Sequence, residues 1–242
     1  MIIAERKPLP EIIANVRDVD RLLIVGCNTC VAICLAGGEK EVAVLGSLLR
    51  LARNNGEGLK LGQITETCVE RQCEEEFNAP LAEAIAAHDV VLSMACGVGV
   101  QTLAEQFPDA IVYPALNTIS MGRPEEPGTW DERCLGCGNC VLDKFGGVCP
   151  ITRCSKSLLN GPCGGSANGR CEVDPENLEC AWQLIYDRLS RIGQLERLYA
   201  VEPAKDWSTS HYGGPRRTTS AKWPSQSAAR SAMPSKREDM RR

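Results

Sequence analysis

The chain has 242 residues, a formal net charge of −4, and fourteen cysteines against two histidines, His88 and His211. A chain of this length buries a core without covalent staples, and the charged start MIIAERKPLPEII has no apolar run of the kind that directs export, so the cysteines are read as reduced thiols of a cytoplasmic protein rather than as a disulfide framework. The longest apolar stretches, such as DVVLSMACGVGV, fall well short of the ~20 residues that a membrane span needs.

Residues 20–117 alternate short apolar runs with helical patterns. Arg21 to Gly26 (RLLIVG) reads as a buried strand, and Gly38 to Arg53 places Val42, Leu45, Leu49 and Ala52 on one helical face. A second strand is expected near Leu59 to Thr65, after the turn marked by Asn54 and Gly56. Then come a helix over Pro80 to His88, a strand at Val90 to Ala95, a helix at Val100 to Phe107 and a strand at Ala110 to Pro114. Strands separated by helices of this length predict a parallel sheet with right-handed crossovers, hence an α/β fold in which residues 1–122 form a small Rossmann-like or flavodoxin-like domain.

Arg123 to Gly128 (RPEEPG) reads as a linker into an irregular cysteine-rich domain, residues 123–173. Residues 174–207 are expected to begin with a long helix. Asp174 would cap it, Pro175 and Glu176 would fill its first turn, and Leu178, Trp182, Ile185, Leu189, Ile192 and Leu195 follow at spacings of three and four. Such a helix would run ~37 Å at 1.5 Å per residue, and its apolar stripe needs a cover from the N-terminal domain or a partner subunit. From Pro203 onward there are nine Lys/Arg and three Asp/Glu, a net of +6, which leaves −10 on residues 1–202. Residues 208–242 are a basic low-complexity tail whose composition suits disorder or ordering on a partner, with Trp207, Tyr212 and Trp223 as anchors.

The cysteines carry the chemistry. In the first domain Cys27 and Cys30 (GCNTC) follow the first strand, Cys68 and Cys73 the second, and Cys96 (ACGVG) the third. In a parallel sheet these carboxyl ends share one edge, where open α/β folds bind ligands. Cys27, Cys30, Cys73 and Cys96 are therefore expected to hold one [4Fe-4S] cluster, with Cys34 and Cys68 as reserves or plain core residues. The glycines of CGVGVQ do not make a dinucleotide loop, because Thr102 stands at the third glycine position; Gly97 and Gly99 are expected to let the backbone approach a cluster.

Seven further cysteines fall between residues 134 and 171, in a run broken by Gly and Pro that suits folding around metal. Cys134, Cys137 and Cys140 are spaced C-x2-C-x2-C and Cys149 precedes Pro150, which resembles the bacterial ferredoxin run with its last interval lengthened from three residues to eight. Cys149, Cys154, Cys163 and Cys171 are candidates for the fourth ligand and for most or all of a second set; seven cysteines are one short of two full sets, so either one centre takes a non-cysteine ligand or the segment holds a single cluster with spare or zinc-bound thiols. Cys180 is read as structural, inside the long helix and off its stripe. With two histidines in the chain, each centre is an iron-sulfur cluster or a zinc ion held by thiolates. No Ser-His-Asp set, Walker loop or paired-carboxylate motif accompanies them, so no catalytic residue is assigned, and redox centres without a substrate site imply an electron carrier.

The blocks CNTCVAICLAGGEKEV, VERQCE and ACGVGVQ, and above all the run from CLGCGNC through CPITRC to GPCGG, resemble the MetV-type small cysteine-rich subunit of methylenetetrahydrofolate reductase, over about residue 10 to Trp207. The resemblance implies a flavin-containing TIM-barrel partner that binds the folate and reduces its methylene group to a methyl group in one-carbon metabolism. This chain would pass electrons to that flavin and carry no flavin itself. It further implies two [4Fe-4S] clusters or three, with zinc an alternative at one site, and leaves room for a further electron-input subunit. Two other classes fit the cysteines: a scaffold subunit of a different flavoenzyme, and a zinc-ribbon-like nucleic-acid module. The acidic body argues against the latter.

Overall fold

A computed structural model describes residues 1–55, 59–216 and 218. The chain divides into two compact units, one made of Met1–Leu135 with Val141–Glu202, the other of Gly136–Cys140 with Pro203–Arg242.

The larger unit opens with β1 (Ile2–Arg6) and α1 (Leu9–Val16), followed by β2 (Arg21–Cys27), the single turn α2 (Cys30–Ile33) and α3 (Glu39–Asn54). Next come β3 (Gln63–Val69), the short helices α4 (Glu75–Asn78) and α5 (Ala82–Ala86), β4 (Val90–Met94), α6 (Gly97–Gln106) and β5 (Val112–Pro114). The strands β2 to β5 form a parallel sheet in the order β3-β2-β4-β5. This is the order of flavodoxin-like doubly wound sheets, in which the chain winds outward in both directions from the first strand.

Alternation along β2 sends its side chains to two cores. Leu22 and Ile24 join Leu92 and Met94 beneath α1 and α3, where Ile12, Val16, Val42, Leu45 and Leu49 are buried. Leu23 and Val25 join Val91 on the other face, covered by Leu81, Ile85 and Leu103 of the segments around α5 and α6. The helical face expected from Val42, Leu45, Leu49 and Ala52 is the one that is buried.

Three expectations need correction. The second parallel strand is Gln63–Val69, not 59–65. Leu59 and Leu61 are buried before it, on a connection whose Lys60 and Gly62 amides donate to the Arg17 and Val19 carbonyls, while the strand itself lies at the sheet edge and is mostly half-exposed, so its sequence reads as polar. The segment Arg123 to Gly128 is not a linker. It lies in a hairpin of β6 (Leu116–Glu126) and β7 (Thr129–Cys134), and β6 also pairs antiparallel with β1.

The long C-terminal helix is also absent. After the single turn α7 (Pro150–Arg153), the next helix is α8 (Ala181–Arg191), eleven residues or ~16 Å long. Asp174 does cap a turn, accepting from the Asn177 amide at 3.1 Å, but the chain then leaves helical geometry. Cys171 N–H donates to Leu178 O, Arg170 bridges Glu179, and Cys180 N–H donates to Gly169 O, so residues 178–180 pair with 169–171. At the other end Gly193 takes a φ of +68°, and its amide and that of Gln194 close onto Ser190 and Leu189. This Schellman stop explains why Ile192 and Leu195 do not continue the helix. Trp182, Ile185 and Leu189 do face a core, with Phe145 and Cys180.

The smaller unit is described through residue 216 and at 218. Its two 3-10 turns, Trp207–Thr209 and His211–Gly213, lie over the GCGNC loop of residues 136–140. Thr209 Oγ1 donates to Cys137 O at 2.8 Å, Lys205 Nζ to Asn139 O at 3.3 Å and Arg216 to Gly136 O at 3.1 Å. Trp207 and Tyr212 meet edge to face at 5.8 Å. The first residues of the basic tail thus order on a cysteine loop of their own chain; the remainder, with Trp223, lies outside the described residues. No helix among the described residues is long and apolar enough to cross a membrane.

Candidate metal-binding site

All fourteen cysteines lie among the described residues and none forms a disulfide. The parallel sheet brings the ends of β2, β3 and β4 to one edge. Cys27 is the last residue of β2, Cys73 stands between β3 and α4, and Cys96 is the N-cap of α6 just beyond β4. Because β2 and β4 are neighbours from which the chain winds in opposite directions, Cys27 and Cys96 flank the switch point of the sheet.

Electrostatics ties these thiols together. The Cys73 thiol is pushed up, first by burial, then by the neighbouring Cys27, and further by Cys96. These neighbours oppose the ionisation of Cys73, whereas a cation beside it would reverse the sign. That donor set fits a metal centre. Cys30, the first residue of α2, directly follows Thr29, whose Oγ1 lies 3.8 Å from the Cys27 thiol. Among the described residues no group of three or more His, Cys, Asp or Glu is disposed to hold an ion as it stands.

The two reserve cysteines adjoin this set: burial pushes both thiols up, Cys30 adds to the effect on Cys34 and Cys27 to that on Cys68. Cys34 is buried, its thiol donates to Ile2 O at 3.4 Å, and burial pushes its titration up. Cys68 lies inside β3 rather than after it, packs against the larger core, and is also pushed up by burial. Cys34 is a core residue, whereas Cys68 is partly buried against the core, as Cys96 is.

The edge is held by a residue that cysteine spacing does not reveal. Gln72, fully buried, donates from Nε2 to Val25 O at 2.8 Å and Gly26 O at 3.0 Å and accepts from Ser93 Oγ at 2.6 Å, while its own carbonyl accepts from Asn78. One amide thereby ties the end of β2 to β4 and fixes the loop that carries Cys73. Its signal in the sequence is only its place beside that cysteine. Gly99 is needed here, since a Cβ would stand 2.9 Å from the Gln72 Cβ and 2.8 Å from that of Ala95, but Gly97 has space around it. Gly99 therefore serves the packing of α6 on this loop.

In the cysteine-rich segment, Cys134 and Cys149 belong to the larger unit and Cys137 and Cys140 to the smaller. Cys149 caps α7, with its thiol 3.6 Å from Thr152 Oγ1. Cys154, Cys163 and Cys171 line one small cavity together with Cys180. Cys180 is not inside a helix, as its spacing suggested, but at the N-cap of α8. The Cys171 thiol is held below the ordinary range, chiefly by the Ser155 hydroxyl at 3.4 Å and then by the amide of Val173.

The site region is a parallel α/β sheet with thiols at its carboxyl edge, followed by a cysteine-rich segment with almost no regular structure. Residues 113–208 match the family described as Methylene-tetrahydrofolate reductase C terminal. No curated protein and no solved structure matches the chain.

Proposed function

We propose that this chain is the iron-sulfur electron-transfer subunit of a methylenetetrahydrofolate reductase complex, with the flavin and the folate site on a separate TIM-barrel subunit. The observation that supports the redox reading is the placement of Cys27 at the end of β2, Cys73 after β3 and Cys96 after β4, along the carboxyl edge of one parallel sheet. The family match over residues 113–208 supports the link to the reductase. Cys27, Cys30, Cys73 and Cys96 would hold one [4Fe-4S] cluster, and the spacing of Cys134, Cys137 and Cys140 supports a second metal centre in the segment. When bound, such clusters supply one-electron transfer.

The chain's own contribution is position and environment. Gln72 holds the strand ends, and the start of α6 presents the positive end of a helix dipole to the Cys96 thiolate. No catalytic side chain is assigned. The test is anaerobic copurification with the flavoprotein followed by rapid mixing with the physiological donor. The visible chromophore of this chain is expected to bleach before the partner's flavin, and Cys96→Ala is expected to lower iron by about one cluster per chain. A flavoprotein that takes up physiological electrons equally fast without this chain overturns the proposal, as does flavin or folate bound to this chain.

A further inference from the structure

We infer that the segment from Lys205 to Arg216 is a latch that closes over the GCGNC loop and controls access to Cys137. The loop, Gly136–Cys140, has no helix or strand of its own. Its carbonyls are held by side chains instead. Arg216 Nη2 donates to Gly136 O at 3.1 Å, Thr209 Oγ1 to Cys137 O at 2.8 Å and Lys205 Nζ to Asn139 O at 3.3 Å. These bonds stand where a ladder or a helix would otherwise satisfy the backbone. The fit is particular at Gly138, whose φ of +80° is left-handed and where a Cβ would run into the Thr209 carbonyl oxygen. The loop carries glycine at the point where the segment crosses it.

The segment is built to keep its own shape. Asp206 accepts from the Ser208 amide at 2.8 Å, and the buried Ser210 donates from Oγ to Trp207 O at 2.6 Å while accepting from the Tyr212 amide at 3.2 Å, so the two 3-10 turns are fixed back to back. Arg216 also donates to Thr209 O, which joins the end of the segment to its middle. The chain is pinned just ahead of it. Glu202 N–H donates to Asn160 Oδ1 at 2.7 Å, Asn160 Nδ2 donates to Glu202 O at 2.9 Å, and the Glu202 carboxylate pairs with Lys144 at 2.5 Å. Pro203 and Ala204 alone separate this pin from Lys205, so an opened latch stays tethered and recloses as an intramolecular event.

The closed state rests on few bonds. Trp207 and Tyr212 pack edge to face yet stay 37% and 85% exposed, so no apolar core holds the segment down and its opening belongs to the low-energy end of the molecule's fluctuations. Cys137 is half-buried where Thr209 holds its carbonyl, whereas Cys140 of the same loop is exposed. Opening therefore changes the access of the first thiol and leaves the second as it was. Thr209 and Arg216 also lie beyond residue 208, where the family match ends. On the electron-transfer reading the latch sets how open this loop is to solvent and to a redox partner; the hydrogen bonds themselves do not depend on that reading.

The experiment is hydrogen exchange on the full chain, read by mass spectrometry. Thr209→Val removes one donor to the loop and is expected to speed exchange in residues 136–140 and 205–214 together, by about fivefold, with residues 90–112 unchanged. Gly138→Ala tests the contact from the other side and is expected to speed exchange in residues 205–214. Iodoacetamide labelling, after chelation under reducing conditions, gives the second reading. Cys137 is expected to label more slowly than Cys140 in the unmodified chain, and the gap is expected to narrow by about fivefold in Thr209→Val. Exchange in 136–140 that ignores Thr209→Val, exchange in 205–214 that ignores Gly138→Ala, or equal labelling of the two thiols in the unmodified chain overturns the latch. Failure of the electron-transfer proposal looks different: iron is absent while the two segments still exchange together.

Discussion

The parallel-sheet region and the cysteine-rich segment stand at opposite ends of what a core can supply. Two clusters of twenty-three and seven buried apolar residues enclose the sheet from both sides, whereas the cluster beside the cysteine segment has five: Phe145, Cys180, Trp182, Ile185 and Leu189. The regular elements between residues 135 and 180 amount to α7 and two isolated bridges. The first region folds by removing apolar surface from water. The second has cysteines where the first has leucines, and on the proposed reading much of its folding free energy comes from metal ligands.

Removing metal is the most direct way to break that comparison. Chelation under reducing conditions is expected to make residues 141–180 sensitive to protease while residues 1–115 stay resistant, read by mass spectrometry of the digest. Retention of protease-resistant structure in the segment after complete metal removal would contradict the comparison. Next in size, Leu92→Ala empties a fully buried position at the centre of the sheet and is expected to cost about 2–5 kcal/mol in denaturant titration, with metal content unchanged.

Gln72→Leu joins the two questions, because it removes the amide that ties strand ends bearing thiols. It leaves the Val25 and Gly26 carbonyls without that donor and Ser93 without its acceptor, and is expected to cost about 1–3 kcal/mol. A loss of iron larger than that of a Leu92→Ala protein of equal stability would show that Gln72 positions the site as well as the sheet.

The smallest effect concerns acid. Arg21 donates to Asp89 at 2.5 Å through its guanidinium and at 2.8 Å through its amide, which holds the Asp89 carboxyl below its ordinary value. A lowered folded value means that the contribution is present above the unfolded pKa of about 3.9 and is lost as pH falls through the folded one. Asp89→Asn is therefore expected to remove a slight loss of stability on acidification in that window, and the pair is exposed enough that its effect at neutral pH is minor. Denaturant titrations of both proteins across the acid range would check this. An unchanged acid limb would show that the pair contributes nothing to the sheet.

Much of the first region was legible because its signals are local. The β-branched run at Arg21 to Cys27 and the face of Val42, Leu45, Leu49 and Ala52 announce burial by period alone. Cysteines following such runs could then be assigned to a common edge before any coordinates. Local signals failed where pairing is distant. The strand Ile2–Arg6 depends on Leu116–Glu126, more than a hundred residues away, and the hairpin at Arg123 reads as a linker because Arg, Pro and Glu at an outer ribbon have no core to face. Gly193 was a legible stop signal for the last helix, but the apolar spacing through Ile192 and Leu195 outweighed it.

What the sequence determined by itself was the chemistry: a reservoir of thiolates with two histidines in support, alternating strands and helices, and no recognisable substrate motif. Tertiary structure decided where the thiols stand. Cys34 is buried in the core, and a pairing of 178–180 with 169–171 carries Cys180 from a presumed helix interior to a cavity wall. Spacing along a chain constrains ligands only within one loop. Bringing together cysteines from separate loops depends on backbone hydrogen bonds between distant segments, and no local pattern encodes those.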